Sequence, residues 1–303
     1  MTAAQRRRWR SPYPVVLPLL LGLHRRGTAD PTYRTEPGGA VWRAARTPAG
    51  VGTVRFALDG MDVDVAAWGP GASWLLEMAP EWLGARDDLS GWLPQVPVLR
   101  DGSRRWHGPR VGRTGLVLDA LMPAVLEQKV TGGEARRAWR WLVRRYGEAA
   151  PGPSVGLMVM PDAQTWRAVP SWDWHRAGVG PQRSATAVRA AGLAAQLERA
   201  ASLPSAAADA RLRSIPGVGA WTSAEVRQRA LGDPDAVSVG DAHVPRLITY
   251  ALTGEVSDSD DDMQQALEPY QGHRFRVQRL LERSDVRAPR FGPRYSPHDF
   301  RSH

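Results

Sequence analysis

The sequence predicts an α+β protein in which a small N-terminal antiparallel-sheet domain leads into an all-helical body. Two observations carry this. Residues 15 to about 108 read as short alternating stretches closed by Pro and Gly turns, and from about Leu116 onward the apolar residues recur at helical spacing. The chain has 303 residues, 43% of them hydrophobic, enough for a sizeable core in one large domain or two smaller ones. No fixed-period repeat competes with this reading.

In chain order, residues 1–14 read as a flexible basic arm. "RRRWRSPYPVVLPLLLGL" has the look of a basic stretch before an apolar secretory segment. Against export, Val15–Leu23 contains Pro18, lacks a small-residue cleavage site, runs into His24–Arg25–Arg26 and is too short to cross a bilayer. A first strand in a cytoplasmic, nucleoid-associated protein is the expectation. "AVWRAARTP", "GTVRFALDG" and "DVDVAAWGPG" read as strands, and "SWLLEMAPEWLG" as a short amphipathic helix. A boundary falls near 108, giving an N-terminal domain over 15–108 and a helical region over 109–285. Candidate helices are Leu116–Lys129, Gly133–Tyr146, Arg183–Ala200, Ala206–Ser214, Trp221–Leu231, Val244–Leu252 and Met263–Glu282. "EAAPGPSVG" and "LPSA" are loops, and 286–303 is a Pro/Arg-rich tail without periodicity.

Composition narrows the chemistry. With no cysteine, disulfides, cysteine-ligated zinc and cysteine-bound iron–sulfur clusters are excluded. The 7 histidines are scattered without paired metal-ligand spacing. The formal net charge of +9 favours a polyanionic partner. A compositional bias toward Ala, Arg and Gly explains why Lys129 is the single lysine, but not the surplus of basic over acidic residues.

"LRSIPGVGAWTSAEV" (212–226) is an apolar helical turn, a glycine-framed bend and a second helix. Pro216 stops the first helix, and Gly217 and Gly219 permit conformations closed to other residues. Backbone amides around Val218, Gly219 and Ala220 can then face outward at a helix start, a site for one phosphate. Such a contact positions a nucleic acid and reads no base. A tight helical hairpin without a ligand is the alternative.

Farther on, "AVSVGDAHVPRLITYAL" places Asp241 before a helix starting at Ala242, where Asp is a favoured N-cap. Taken together, the pattern apolar-x-x-Ile-Pro-Gly-Val-Gly and Asp241 resemble the HhH-GPD superfamily of DNA glycosylases, named for a hairpin, a Gly/Pro-rich loop and a catalytic Asp. "LMPAVLEQKVTGGEARRAWRWLVRRYG", "WHRAGVGPQRSATAVRAAGLAAQLE" and "LEPYQGHRFRVQRLL" are similar to helical segments of the bacterial inducible 3-methyladenine DNA glycosylase (type II) branch. The similarity runs from about residue 115 to 283 and is weaker over the N-terminal domain.

The resemblance implies two helical subdomains flanking a cleft, and hydrolysis of the N-glycosidic bond of a damaged base, an alkylated purine in this branch, flipped from duplex DNA. A departing purine leaves an oxocarbenium-like sugar, which the Asp241 carboxylate would stabilise while orienting water. Gly217, Val218, Gly219 and Ala220 would hold a phosphate, and Gln128 and Lys129 would form the wedge that fills the vacated stack. An ordinary polar helix terminus is the alternative for the latter pair. Arg136, Arg137, Arg140, Arg144 and Arg145 form a basic face suited to phosphates or simply to solvent.

Trp221 matches a base-pocket aromatic, where an indole suits a cationic alkylated purine, although with 13 tryptophans a core role competes. Ala242, Glu225 and His273 stand where other pocket aromatics can occur, which puts the substrate range in doubt. His243 reads as a helix-surface or phosphate contact. Bifunctional relatives form a Schiff base with a lysine after the hairpin; here that place holds Ala220–Trp221, so no lyase activity is expected. No cofactor is expected, while the resemblance allows a structural Na+ or K+ on the carbonyls of Arg213, Ile215 and Val218. The acidic run "DSDDDMQQALEP" reads as a helix start. Double-stranded DNA is the expected partner, with no membrane and a monomeric enzyme. Competing functions are a non-catalytic lesion-binding protein on the same fold, or a glycosylase for a different damaged base.

Overall fold

A computed structural model describes residues 3–289. The N-terminal part is a five-stranded antiparallel sheet built from β1 (Gln5–Arg10), β2 (Tyr33–Thr35), β3 (Val41–Thr47), β4 (Gly50–Asp59) and β5 (Asp62–Trp68), in the order β1-β5-β4-β3-β2. Between β1 and β2 lies the short helix α1 (Leu17–Leu20), continued by a 3₁₀ turn over Leu21–His24. β3, β4 and β5 follow the three predicted strands, their inward Val41, Val54, Phe56, Val63 and Val65 packing under α2 (Ala72–Trp82).

Two N-terminal expectations are corrected. The basic arm is ordered over Gln5–Arg10, which pairs in register with Asp62–Ala67. Its polarity on both faces hides the strand from pattern reading, and what fixes it is the partner strand. Arg8 meets Asp59, Asp62 and Asp64 at 2.7, 2.9 and 3.4 Å. The Val15–Leu23 segment is helical rather than a strand. Pro18 lies in the first turn of α1, where its missing N–H costs nothing, and Leu17, Leu19, Leu20 and Leu21 are buried.

After α3 (Pro97–Arg105) come α4 (Val117–Leu126) and α5 (Gly132–Tyr146), the latter opened by a capping box between Thr131 and Glu134. A two-stranded ribbon, β6 (Glu148–Ala149) and β7 (Met158–Val159), occupies the predicted loop. Then follow α6 (Ala163–Ala168), α7 (Ser171–Arg176), α8 (Pro181–Gly192), α9 (Ala194–Glu198), α10 (Ser205–Arg213), α11 (Ala220–Val226), α12 (Val244–Thr253), α13 (Asp260–Leu267) and α14 (Arg274–Glu282). The predicted helix 183–200 is broken at Leu193, and that over 263–282 at Glu268–His273, where Pro269 and Gly272 interrupt the ladder.

The helices form two cores. One gathers α4 and α5 with α6 to α11; the other gathers Ile248, Met263, Leu267, Val277, Leu280 and Leu281 of α12 to α14 with Leu99 of α3. The expected boundary at 108 therefore divides the chain in sequence but not in packing, because α3 belongs to the C-terminal helical core. The tail from residue 290 lies outside the described residues.

Candidate active site at the glycine elbow

The chain turns between α10 and α11 at Ile215–Gly219. Gly217 has φ +96°, and a Cβ there would lie 2.0 Å from Thr186 Oγ1, so only glycine fits. Gly219 has φ −94°, ordinary for any residue, and a Cβ there would meet nothing within 4 Å. This corrects the expectation for Gly219: its benefit is open space above the helix start, not a special conformation. The Val218 amide is also not outward, since it donates to Ile215 O at 2.9 Å. Among the described residues, the amides of Gly219 and Ala220 have no acceptor, as the first amides of a helix require.

Side chains from elsewhere fix the elbow. Arg189 Nη1 donates to Pro216 O at 2.7 Å. Gln128 Nε2 donates to Gly217 O at 2.9 Å and to Thr222 Oγ1 at 2.8 Å. The two wedge candidates are therefore unlike. Gln128 reaches inward to the elbow, whereas Lys129, exposed at φ +52°, forms the outer tip of the turn between α4 and α5. Of the carbonyls expected to face a cation, Ile215 O already accepts the Val218 amide and keeps one lone pair.

The first turn of α11 carries the half-buried Trp221, whose Nε1 donates to Asp241 Oδ2 at 3.0 Å. The other carboxylate oxygen, Oδ1, accepts the amides of His243 and Val244 at 2.8 and 3.1 Å. The helix starts at Val244, not Ala242, and Asp241 caps it from outside through an Asx-type turn. Capping thus occupies one oxygen and leaves the other facing the indole. Asp241 is partly exposed, and Ala242 and His243 are exposed. The carboxylate lies on the same side as the elbow's helix start, joined to it through one side chain.

The loop before Asp241 is held from three sides. Asp260, first residue of α13, accepts the Gly240 amide with both oxygens at 3.0 Å. Arg274 pairs with Asp235. Ser238, fully buried, donates its amide to Gln278 Oε1 at 3.0 Å and its hydroxyl to Glu225 Oε1 at 2.9 Å, and its carbonyl accepts the Asp241 amide at 3.3 Å. Sequence reading missed Ser238, Gln278 and Asp260. Only the acidic run around Asp260 carried a signal, and it was read as a helix start, which is also true.

Two pocket candidates are placed differently from expectation. Glu225 is buried and pairs with Arg229 Nη1 at 2.7 Å, so it faces a buried network and not an open pocket. Burial pushes the Arg229 guanidinium below its ordinary value, with Glu225 opposing. His273 is also buried; its Nε2 lies 3.1 Å from Ser90 O, its Nδ1 accepts from Arg276 Nε at 3.2 Å, and Trp92 meets it edge-on. Arg276, 0% exposed, forms a two-pronged pair with Asp87 at 2.8 Å on each prong. His273 therefore joins α14 to the loop before α3, and among the described residues none of its hydrogen bonds or ring contacts reaches Trp221 or Asp241. The residues that follow it, Arg274, Phe275 and Arg276, give no hint of Ser90 or Trp92 as partners.

Asp258 pairs with Arg246, Asp262 accepts from the Ser257 hydroxyl and Asp261 lies in the first turn of α13, and among the described residues no cluster could hold a metal ion. No helix among the described residues is long and apolar enough to cross a membrane.

No protein-family model matches the chain, and no curated protein matches it in sequence. Solved structures do match. A 3-methyladenine DNA-glycosylase from Archaeoglobus fulgidus superposes with a TM-score of 0.75 at 18% identity, over 91% of this chain and 97% of its own. An 8-oxoguanine glycosylase/lyase from Clostridium acetobutylicum, bound to double-stranded DNA containing cytosine opposite 8-oxoguanine, gives 0.71 at 14% identity, over 93% and 96%. A 3-methyladenine DNA glycosylase from Schizosaccharomyces pombe, in complex with abasic DNA, gives 0.50 at 15% identity, over 65% and 94%. The chain thus has the fold of helix-hairpin-helix DNA glycosylases: a mixed sheet domain and a helical body with the hairpin at 212–226. That fold is shared by a protein described as a 3-methyladenine DNA-glycosylase and by one described as an 8-oxoguanine glycosylase/lyase, and does not choose between them.

Proposed function

We propose that this protein is a monofunctional DNA glycosylase that hydrolyses the N-glycosidic bond of a flipped, damaged base in duplex DNA, with an alkylated purine as substrate. The observation that carries the reading is the Trp221–Asp241 hydrogen bond, which ties the partly exposed carboxylate to the first turn after the elbow. A strand gripped by the Gly219 and Ala220 amides would then present its sugar near Asp241. The carboxylate would stabilise positive charge developing at C1′ and orient the attacking water. The indole N–H holds Oδ2 in place and keeps it hydrogen-bonded while the charge forms. An electron-rich indole beside that carboxylate suits a cationic purine.

The absence of lyase chemistry rests on the amine. Ala220 follows the elbow, and Lys129, the single lysine, sits at the tip of a different turn. Gln128 and Lys129 are assigned to the wedge, with Gln128 bracing the turn and Lys129 reaching outward. A monovalent cation at the elbow would draw on Arg213, Ile215 and Val218 carbonyls as a structural aid only. The protein is assigned to the cytoplasm as a monomer on DNA.

The test is base release from duplexes containing alkylated purines or 8-oxoguanine, under single turnover, with the wild type and Asp241→Asn. Release by the wild type, lost in the variant with duplex binding retained, supports the enzyme. The consumption of Glu225 and His273 in buried contacts favours a second reading, a lesion-binding protein without turnover. Tight binding to lesion duplexes with no base release by the wild type would establish that reading. Strand cleavage with borohydride trapping would overturn the monofunctional assignment.

A further inference from the structure

A cationic groove adjoins the turn between α4 and α5 through Glu127. Consecutive residues of this turn reach in different directions. Gln128 bonds to the elbow, and Glu127 pairs with Arg26 Nη1 at 3.0 Å. Arg26 lines an open cavity of about 370 Å³ together with Arg25, Arg136, Arg140, Gly27 and Thr28. Of the four arginines, only Arg26 has a carboxylate partner among the described residues.

The cavity is built rather than incidental. Asp30, buried in the same loop, accepts the Arg26 amide at 2.6 Å, the Thr32 amide at 2.9 Å and Trp139 Nε1 at 3.1 Å, which fastens the 26–32 loop to α5. Gly27 has φ +85°, and a Cβ there would come 2.7 Å from Arg136 Cδ, so the loop admits no side chain at that point. Arg136 and Arg140 stand one turn apart on α5 and face the same way. Three positive charges without acidic partners, held open toward solvent, form an anion site.

We infer that this groove binds backbone phosphates of the DNA strand opposite the one held at the elbow. This rests on the DNA-binding reading above. The two strands of a duplex flank each groove, so a protein turn seated in a groove has one phosphate backbone on either side. Gln128 joins this turn to the elbow and Glu127 joins it to the arginine groove, so a turn seated in the duplex would have a phosphate-binding feature for each strand. Arginine is suited to the task because its fork pairs with two phosphate oxygens at once.

The test compares the wild type, Arg136→Gln/Arg140→Gln and Gly219→Asp, each checked for an unchanged melting temperature. Gly219 has open space and a permissive φ, so its aspartate variant leaves the fold intact while placing negative charge at the elbow. Affinity is measured for duplex and for single-stranded DNA of equal length across a range of salt, and each protein is also titrated with pyrophosphate. The arginine double variant is expected to lose on the order of tenfold in duplex affinity and about 1.8 in the log–log salt slope, with single-strand affinity unchanged. Gly219→Asp is expected to weaken binding to both. An unchanged duplex slope in the arginine variant, alongside weakened binding by Gly219→Asp, would overturn the groove assignment and leave the elbow reading standing. Wild-type affinity for duplex in both variants would instead remove the DNA-binding reading. Tight pyrophosphate binding abolished by the arginine changes, with duplex affinity intact, would reassign the groove to a small phosphoanion.

Discussion

The mouth of the site and the buried lock behind it are built from similar residue types and use their hydrogen-bonding capacity in opposite ways. At the mouth, Asp241 and Trp221 are partly exposed, and Gly219 and Ala220 present amides without acceptors. In the lock, Glu225, Ser238, Gln228 and Gln278 satisfy one another, while His273 and Arg276 bind to the loop around Asp87 and Ser90. Unused donors facing solvent are what a ligand can take. A saturated buried network holds position, because in low dielectric an unmade bond is costly. Under the proposed function, the residues at the mouth would act on the substrate and the buried network would hold them in place.

Substitutions at the two regions should therefore fail in different ways. The largest effect is expected for Asp241→Asn, a loss of at least about 100-fold in base release under single turnover. Asparagine has one acceptor oxygen, which keeps the capping bonds to His243 and Val244 but gives up the bond from the Trp221 indole, so its unfolding free energy should fall by no more than about 1.5 kcal/mol. A large drop in stability would move Asp241 into the lock.

Next in size is Arg276→Met, which leaves Asp87 buried without its partner. Denaturant unfolding should report a loss of about 3–5 kcal/mol, with Glu225→Gln in the same direction because Arg229 loses its carboxylate. A stable Arg276→Met protein with impaired base release would instead bring this cluster into the active site.

The two glycines of the elbow sharpen the contrast at a smaller scale. Gly217→Ala should cost about 1–3 kcal/mol, since the added methyl meets Thr186 in a left-handed backbone. Gly219→Ala should change stability by less than about 0.5 kcal/mol while weakening duplex binding, as the methyl covers the exposed amides. Equal stability losses at both positions would refute the division.

The smallest effect concerns pH. Burial, together with Arg43, Arg229, Arg26 and Arg279, holds the His24 imidazole well below the ordinary histidine value. Its neutral form belongs to the folded state, so the unfolded chain binds more protons near its ordinary pKa. The stability contribution is complete above about pH 7 and is lost progressively as pH falls below about 6.5. Unfolding curves for the wild type and His24→Gln should converge with acidification through this window. A constant gap between them across it would show that His24 titrates alike in the folded and unfolded protein, contrary to its burial among arginines.

Sequence alone determined whatever local chemistry enforces. Alternation gave β3 to β5, helical spacing gave α4, α5, α10 and α12, and Pro216 with Gly217 gave the elbow, since only glycine fits there. The pairing of the elbow with Asp241 came from the resemblance, since the residues around Asp241 by themselves read as a helix cap. Tertiary structure decided the rest. The strand at Gln5–Arg10 depends on the carboxylates of β5, and α3 is assigned to the C-terminal core by Leu99 packing against helices far along the chain. Glu225 and His273 read as pocket residues by position, yet their partners Arg229, Ser238, Ser90 and Arg276 come together only on folding. A side chain's residue type sets which bonds it can form, and the surrounding fold sets which of those are already made.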